Sequence, residues 1–144
     1  MTEILVVDDS ELDHAYVKRM FRGLQRIREW NAEYVSSGEQ ALIRLQERRF
    51  DLVLTDYYMP NMNGLELLQQ VQQLGIDTPV IIMTANGSEE LVLDSLRGGA
   101  ANYVMKRKLD RELPVMIEKM NWSIPVEGTS RSQRAIAEPT WGVG

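Results

Sequence analysis

Residues 51–64 read DLVLTDYYMPNMNG, and the order of parts within this stretch decides the fold. Leu52 to Leu54 form an uninterrupted apolar run, which is how a strand buried on both faces reads. Asp56 closes the run. Asn63-Gly-Leu-Glu66 then supplies a capping box that opens a helix with Leu65, Leu68 and Val71 on its inward face. A buried strand, an acid at its end and a capped helix make one β-α unit, and the unit recurs in both directions along the chain.

Towards the N-terminus, Ile4 to Val7 is a second such run, ending at Asp8-Asp9, with Asp9 or Ser10 placed to cap a helix over about Leu12 to Leu24. Glu33 to Val35 is more mixed and suits an outer strand; Ser37-Gly-Glu-Gln40 caps a helix that turns Ala41, Leu42 and Leu45 inward. Towards the C-terminus, Val80 to Met83 ends at Thr84. Ser88-Glu-Glu starts a helix with its acids in the first turn, and Gly98-Gly99 ends it. Asn102 to Val104 is a second mixed, outer strand before Lys106. The last helix runs from about Asp110 to Asn121, with Pro114 early in it, where a missing amide does least harm. The element order is βαβαβαβαβα. Right-handed crossovers leave few arrangements for it, and the flavodoxin-like order 2-1-3-4-5 is the common one. The expected fold is therefore an α/β three-layer sandwich around a five-stranded parallel sheet.

In a parallel sheet the strand C-termini share one edge, and ligands bind there at the switch point. Asp8, Asp9 and Asp56 line that crevice in the expected order, with Thr84 and Lys106 on the next two strands. A lone Asp at a strand end reads as a helix cap or turn residue. That reading gives no reason for a Lys, a Thr and two Asp sites to reach the same edge. Three clustered carboxylates repel one another unless a cation sits among them, and hard oxygen ligands suit Mg²⁺, which keeps waters and binds phosphate as well. Mn²⁺ is the expected substitute. The crevice reads as a phosphate chemistry site.

Composition removes several alternatives. A chain of 144 residues with 44% hydrophobic content is about one domain with a sizeable core. There are no cysteines, so disulfides, thiolate catalysis and Cys-based zinc sites are excluded. A net charge of −5 argues against a nucleic-acid surface, which needs clustered Lys and Arg. RIREW (26–30) and QERRF (46–50) read as solvated helix ends. No apolar run approaches the roughly 20 residues of a membrane span, and the N-terminus enters the first strand without a signal-peptide pattern, so a cytoplasmic location is expected. The single histidine, His14, reads as solvent-facing, and the 8 methionines as core filler. No GxGxxG or Walker pattern appears, so no dinucleotide or ATP site is expected.

With these residues in place, the chain resembles the receiver domains of two-component response regulators. The resemblance is carried by Asp8-Asp9 after the first strand, Asp56 in DYYMPNMNG, Thr84 in VIIMTA, and Tyr103 three residues before Lys106. It covers about Ile4 to Met120. It implies that Asp56 accepts a phosphoryl group from a phosphohistidine of a sensor histidine kinase or histidine phosphotransfer protein. It also implies that Asp9, Asp56 and the backbone carbonyl of Tyr58 bind Mg²⁺, with Asp8 acting largely through metal-bound water. Lys106 adds a point charge to the phosphoryl oxygens. Thr84 turns its hydroxyl to the phosphate and Tyr103 fills the space it vacates, a hydrogen-bond switch with a packing readout. By this resemblance the chain is a signalling switch rather than an enzyme, catalysing only its own Mg²⁺-dependent phosphorylation and slow dephosphorylation. Tyr58 and Asn86, two residues beyond Asp56 and Thr84, are expected to tune the lifetime of the phosphorylated state. One departure stands out: receivers commonly have Pro directly after the lysine, and this chain has Arg107, before which a cis bond costs about 2.5–4 kcal/mol.

Two rival classes lack a needed residue. A dehalogenase-type hydrolase with an Asp nucleophile wants an acid two residues after it, where Tyr58 stands. A flavodoxin-like cofactor carrier needs a hydroxyl and glycine loop after the first strand, where the chain reads DDSELD. A downstream protein is expected on the face of the last two strands, with Leu91, Arg97, Arg107 and Lys108 as contacts. Residues 1–121 form the expected receiver domain. Residues 122–144, with Pro125, Pro139 and little periodicity, read as a tail or linker without an output domain. Trp122, Ile124, Val126, Ile136 and Trp141 give that arm enough apolar surface to dock on a second copy, so an arm-exchanged homodimer is expected.

Overall fold

The computed structural model describes residues 2–24 and 30–121. Its strands are β1 (Thr2–Val7), β2 (Trp30–Val35), β3 (Leu52–Asp56), β4 (Val80–Thr84) and β5 (Asn102–Met105). They alternate with helices α1 (Glu11–Leu24), α2 (Gly38–Glu47), α3 (Gly64–Gln73), α4 (Glu89–Arg97) and α5 (Leu109–Asn121), and a 3-10 turn over Lys106–Lys108 joins β5 to α5. The strands pair in parallel in the order β2-β1-β3-β4-β5, the order expected from right-handed crossovers.

Alternation of side chains along each strand divides the core into two layers. Ile4, Val6, Leu52, Leu54, Ile81 and Met83 pack with Val17 and Phe21 of α1 and Leu113 and Ile117 of α5. Leu5, Val7, Val53 and Ile82 pack with Ala41 and Leu45 of α2 and Leu67, Leu68 and Val71 of α3. Every residue of β3 and β4 is buried. The polar residues that end them, Asp56 and Thr84, are thereby held at the rim of a rigid sheet.

Caps fix where the helices begin. Asn63 and Glu66 form a reciprocal capping box, at 2.8 Å to Glu66 N and 3.0 Å from Asn63 N. Ser37 accepts from Gln40 N and Ser88 from Leu91 N, and the Ser10 hydroxyl accepts from Asp13 N at the head of α1. Gly64 lets α3 start directly against the end of β3, because a Cβ there would lie 2.6 Å from the Asp56 carbonyl oxygen.

Several expectations are corrected. The outer strand β2 begins at Trp30 rather than Glu33, and Trp30 is buried edge-on to Phe21, with ring centroids 5.5 Å apart. RIREW is therefore not wholly a solvated helix end. Phe50 of QERRF is likewise buried, beneath the Arg48 guanidinium. Pro114 stands in the interior of α5, beyond its first turn, where it removes a donor to the Asp110 carbonyl. His14 is half-buried rather than fully solvent-facing: its ring packs 5.7 Å from that of Tyr34, and its Nε2 is buried without a hydrogen-bond partner. Among the described residues no peptide bond is cis, so Arg107 follows Lys106 through a trans bond. No described helix is long and apolar enough to cross a membrane. The expected tail over 122–144 and its arm-exchanged dimer lie outside the described residues.

Candidate functional site

The C-terminal ends of β1, β3, β4 and β5 bring the sequence candidates to one rim. Pairing of β1 with β3 sets Val7 beside Thr55, so the residues just beyond, Asp8 and Asp56, converge. Pairing of β4 with β5 sets Thr84 beside Met105, one residue before Lys106. Asp8, Asp56, Thr84 and Lys106 are all buried. Asp9 is exposed at the mouth. One carboxylate oxygen from each of Asp8, Asp9 and Asp56 lies within 4.8 Å of the others.

The Lys106 ammonium is the fixed counter-charge. Its Nζ lies 2.7 Å from Asp8 Oδ2 and 3.4 Å from Asp56 Oδ2, and it donates to Asp13 Oδ2 at 2.5 Å. Burial alone disfavours the ammonium, but Asp13 and Asp8 overcome it and hold the pKa above the usual lysine value. Burial pushes the Asp56 carboxyl up to about 6; Lys106 pulls it down, while Asp8 and Asp9 raise it further. Asp56 is thus mostly ionised at neutral pH, and its charge is incompletely compensated.

The donor set fits a hard divalent cation. Asp8 Oδ1 accepts from Ser10 N at 3.0 Å, yet Oδ2 is buried without a hydrogen-bond donor, because its close contact with Lys106 is an ion pair lacking hydrogen-bond alignment. A buried carboxylate oxygen whose one close partner is the Lys106 ammonium, beside two more carboxylates, leaves negative charge that an oxygen-liganded metal would neutralise. Asp8, Asp9 and Asp56 could hold such an ion.

The remaining candidates surround this cluster. The Thr84 hydroxyl faces away from it, donating to Asn86 O at 3.1 Å and accepting from Asn86 N at 3.3 Å. Asn86 itself is exposed. Tyr58 is 59% exposed and meets the Tyr57 ring edge-on at 4.8 Å. Tyr103 lies against Gly87, where an added Cβ would be 2.0 Å from the phenol oxygen, and that oxygen is buried without a partner. Burial, with Tyr58 nearby, raises the Tyr103 pKa.

Beyond Tyr103 an open groove of about 520 Å³ runs between α4, β5 and α5, lined by Val92, Leu93, Met105, Lys108 and Glu112 among others. Of the contacts expected on this face, Lys108 lines the groove and Arg97 and Arg107 are exposed. Leu91 is not available: it is buried, on the same inward stripe as Ser95 four residues on. Its place on the surface is taken by Val92 and Leu93.

The residue that sequence reasoning missed is Asp13. The signal in DDSELD was only partial: its third aspartate falls in the first turn of α1, as Glu11 does. Helical side chains lean back towards the N-terminus, which here means towards the strand ends.

The family model for the response regulator receiver domain matches residues 4–118. The chain is 38% identical over 117 residues to the transcriptional regulatory protein ZraR of Escherichia coli O157:H7, covering 81% of this chain and 26% of that protein. It is 39% identical over 112 residues to the two-component response regulator ARR14 of Arabidopsis thaliana, covering 76% and 28% respectively. The chain thus spans about a quarter of the length of these curated relatives. Among solved structures, the chemotaxis protein CheY4 of Vibrio cholerae superposes with a TM-score of 0.72 at 26% identity, over 83% of this chain and 98% of that one. A CheY-like receiver domain protein from Methanospirillum hungatei gives 0.71 at 28% identity, over 83% and 93%.

Proposed function

The chain belongs to the response regulator receiver domain family, and from that membership we propose that it is a phosphorylatable signalling switch with Asp56 as the phosphoacceptor. The observation that carries this is the buried Asp56 carboxylate, with two further carboxylates within 4.8 Å and the Lys106 ammonium at 3.4 Å. The donor is a phosphohistidine of a sensor histidine kinase or histidine phosphotransfer protein. An Asp56 carboxylate oxygen attacks phosphorus in line; the new O–P bond forms as the N–P bond breaks, and its electron pair returns to the imidazole. Mg²⁺, or Mn²⁺ in its place, would be held by Asp8, Asp9, Asp56 and the Tyr58 carbonyl and would neutralise the phosphoryl oxygens. Lys106 supplies a second positive charge from the protein itself.

The readout begins at Thr84. Its hydroxyl turns from Asn86 to the phosphoryl oxygen, giving up the contacts that now hold the β4–α4 loop. Gly87 and Tyr103 touch across that loop, so its movement repacks the tyrosine ring at the head of the α4–β5–α5 groove. A downstream protein recognises the altered groove through Lys108, with the exposed Arg97 and Arg107 as further contacts on this face. Tyr58 and Asn86 flank the phosphoryl group and set how long it survives.

Incubation with acetyl phosphate and Mg²⁺, read by intact mass, tests the proposal. A single phosphoryl adduct is expected, absent without metal, lost in Asp56→Asn and retained in His14→Ala. A wild-type chain that gains no mass overturns it.

A further inference from the structure

Helix α1 grips Lys106 at both ends. The Tyr16 hydroxyl donates to the Lys106 carbonyl at 2.9 Å, and the Asp13 carboxylate accepts from its ammonium at 2.5 Å. The lysine side chain is 9% exposed and that of Asp13 38%. An ammonium has three donors and no acceptor. Here one donor is aligned on Asp13, while Asp8 is met without hydrogen-bond alignment and Asp56 lies at 3.4 Å. Asp13 is not among the acids grouped tightly enough to share a cation. A metal bound by those acids would therefore leave the Asp13 contact in place.

With Asp13 partly open to solvent, this ion pair stabilises the fold only modestly. Its consequence lies instead in where the ammonium is held. We propose that Asp13 is a positioning residue that keeps the Lys106 ammonium on the α1 side of the pocket, so that the lysine must leave Asp13 to meet an incoming phosphoryl group. Phosphorylation is slowed by that exchange, and the acid in the first turn of α1 sets the receptivity of Asp56. The inference rests on the phosphoacceptor reading given above.

The test is the rate of adduct formation from acetyl phosphate at saturating Mg²⁺, in the wild-type chain and four variants. Asp13→Asn should react about two- to fivefold faster, the range that a half-exposed ion pair spans; Asp13→Ser serves equally should the Asn variant not fold. Asp13→Glu restores the carboxylate and should return the rate close to wild type. Glu11→Gln removes an exposed charge two residues away on the same helix and should leave the rate unchanged. Equal or slower reaction in the Asn and Ser variants overturns the inference, as does a Glu variant as fast as the Asn one. Equal acceleration by Glu11→Gln overturns it too, since the effect would then be bulk charge. No adduct in the wild-type chain defeats the phosphoacceptor reading and this inference with it; a wild-type adduct without acceleration in Asp13→Asn defeats this inference alone.

Discussion

Replacing Asp56 by Asn should stabilise the metal-free protein, and should do so in a pH-dependent way. The Asp56 carboxyl is 6% exposed, and burial first, then Asp8 and Asp9, raise it from 3.8 to about 6 against the pull of Lys106. An acid raised on folding gives stability that is fully present below its unfolded pKa and lost as pH rises through its folded value. For Asp56 that window lies between 3.8 and about 6. At about 1.4 kcal/mol per pH unit, the ionised side chain costs the fold about 3 kcal/mol at neutral pH. That figure already includes the attraction of Lys106; burying the polar Asn amide in its place has a cost of its own, so the net gain is about 1–2 kcal/mol. Lys106 is not orphaned by the change, because Asp13 and Asp8 remain in contact with it. In a domain of this size that gain raises Tm by about 3–8 °C. Thermal unfolding followed by circular dichroism in chelator, at about pH 7.5 and about pH 4, measures it. The difference between the two proteins isolates Asp56 from other titrating groups, and it should shrink by more than half at the lower pH. An Asn variant that melts at or below wild type at the higher pH, or a difference that ignores pH, would refute the reasoning.

Three further outcomes are expected. Mg²⁺ should raise the wild-type Tm in a concentration-dependent way, and Asp9→Ala should abolish that rise, because the exposed acid completes the oxygen set; a full Mg²⁺ response in the Ala variant would count against a shared site. Gly64→Ala should destabilise by about 1–3 kcal/mol in denaturant titration, since its Cβ would meet rigid backbone at 2.6 Å rather than a movable side chain. Gly87→Ala should cost less than about 1 kcal/mol yet shift the Tyr103 ring resonances, because the atom it meets is the free end of a side chain; unmoved resonances would contradict the packing described.

What could be read from the chain was local. The runs at Ile4, Leu52 and Val80, the caps at Ser37, Asn63 and Ser88, and the acids closing their strands each depend on neighbours a few residues away. Right-handed crossovers then leave few orders for the sheet, and parallel strands give one edge for Asp8, Asp9, Asp56, Thr84 and Lys106. Contacts set by tertiary packing were harder to reach. Asp13 meets Lys106 across 93 residues of sequence, and nothing in the helical period of α1 singles it out from Glu11. His14 is drawn in by Tyr34 of β2, a partner that only the fold brings near. Leu91 was expected as a contact because it lies close in sequence to Thr84, on the face expected to move, whereas its spacing from the Ser88 cap and from Ser95 sets it on the inward stripe.

The central claim is that Asp56, among the acids Asp8, Asp9, Asp13 and Asp56 at this end of the sheet, is the residue that takes the phosphoryl group. Borohydride cleaves an acyl phosphate and leaves homoserine in place of the aspartate, so peptide mapping after reduction reads the site directly. Treatment with acetyl phosphate and Mg²⁺ should convert residue 56 alone, with no conversion when Mg²⁺ is chelated. Conversion at Asp8, Asp9 or Asp13, or at Asp56 regardless of metal, would contradict the account.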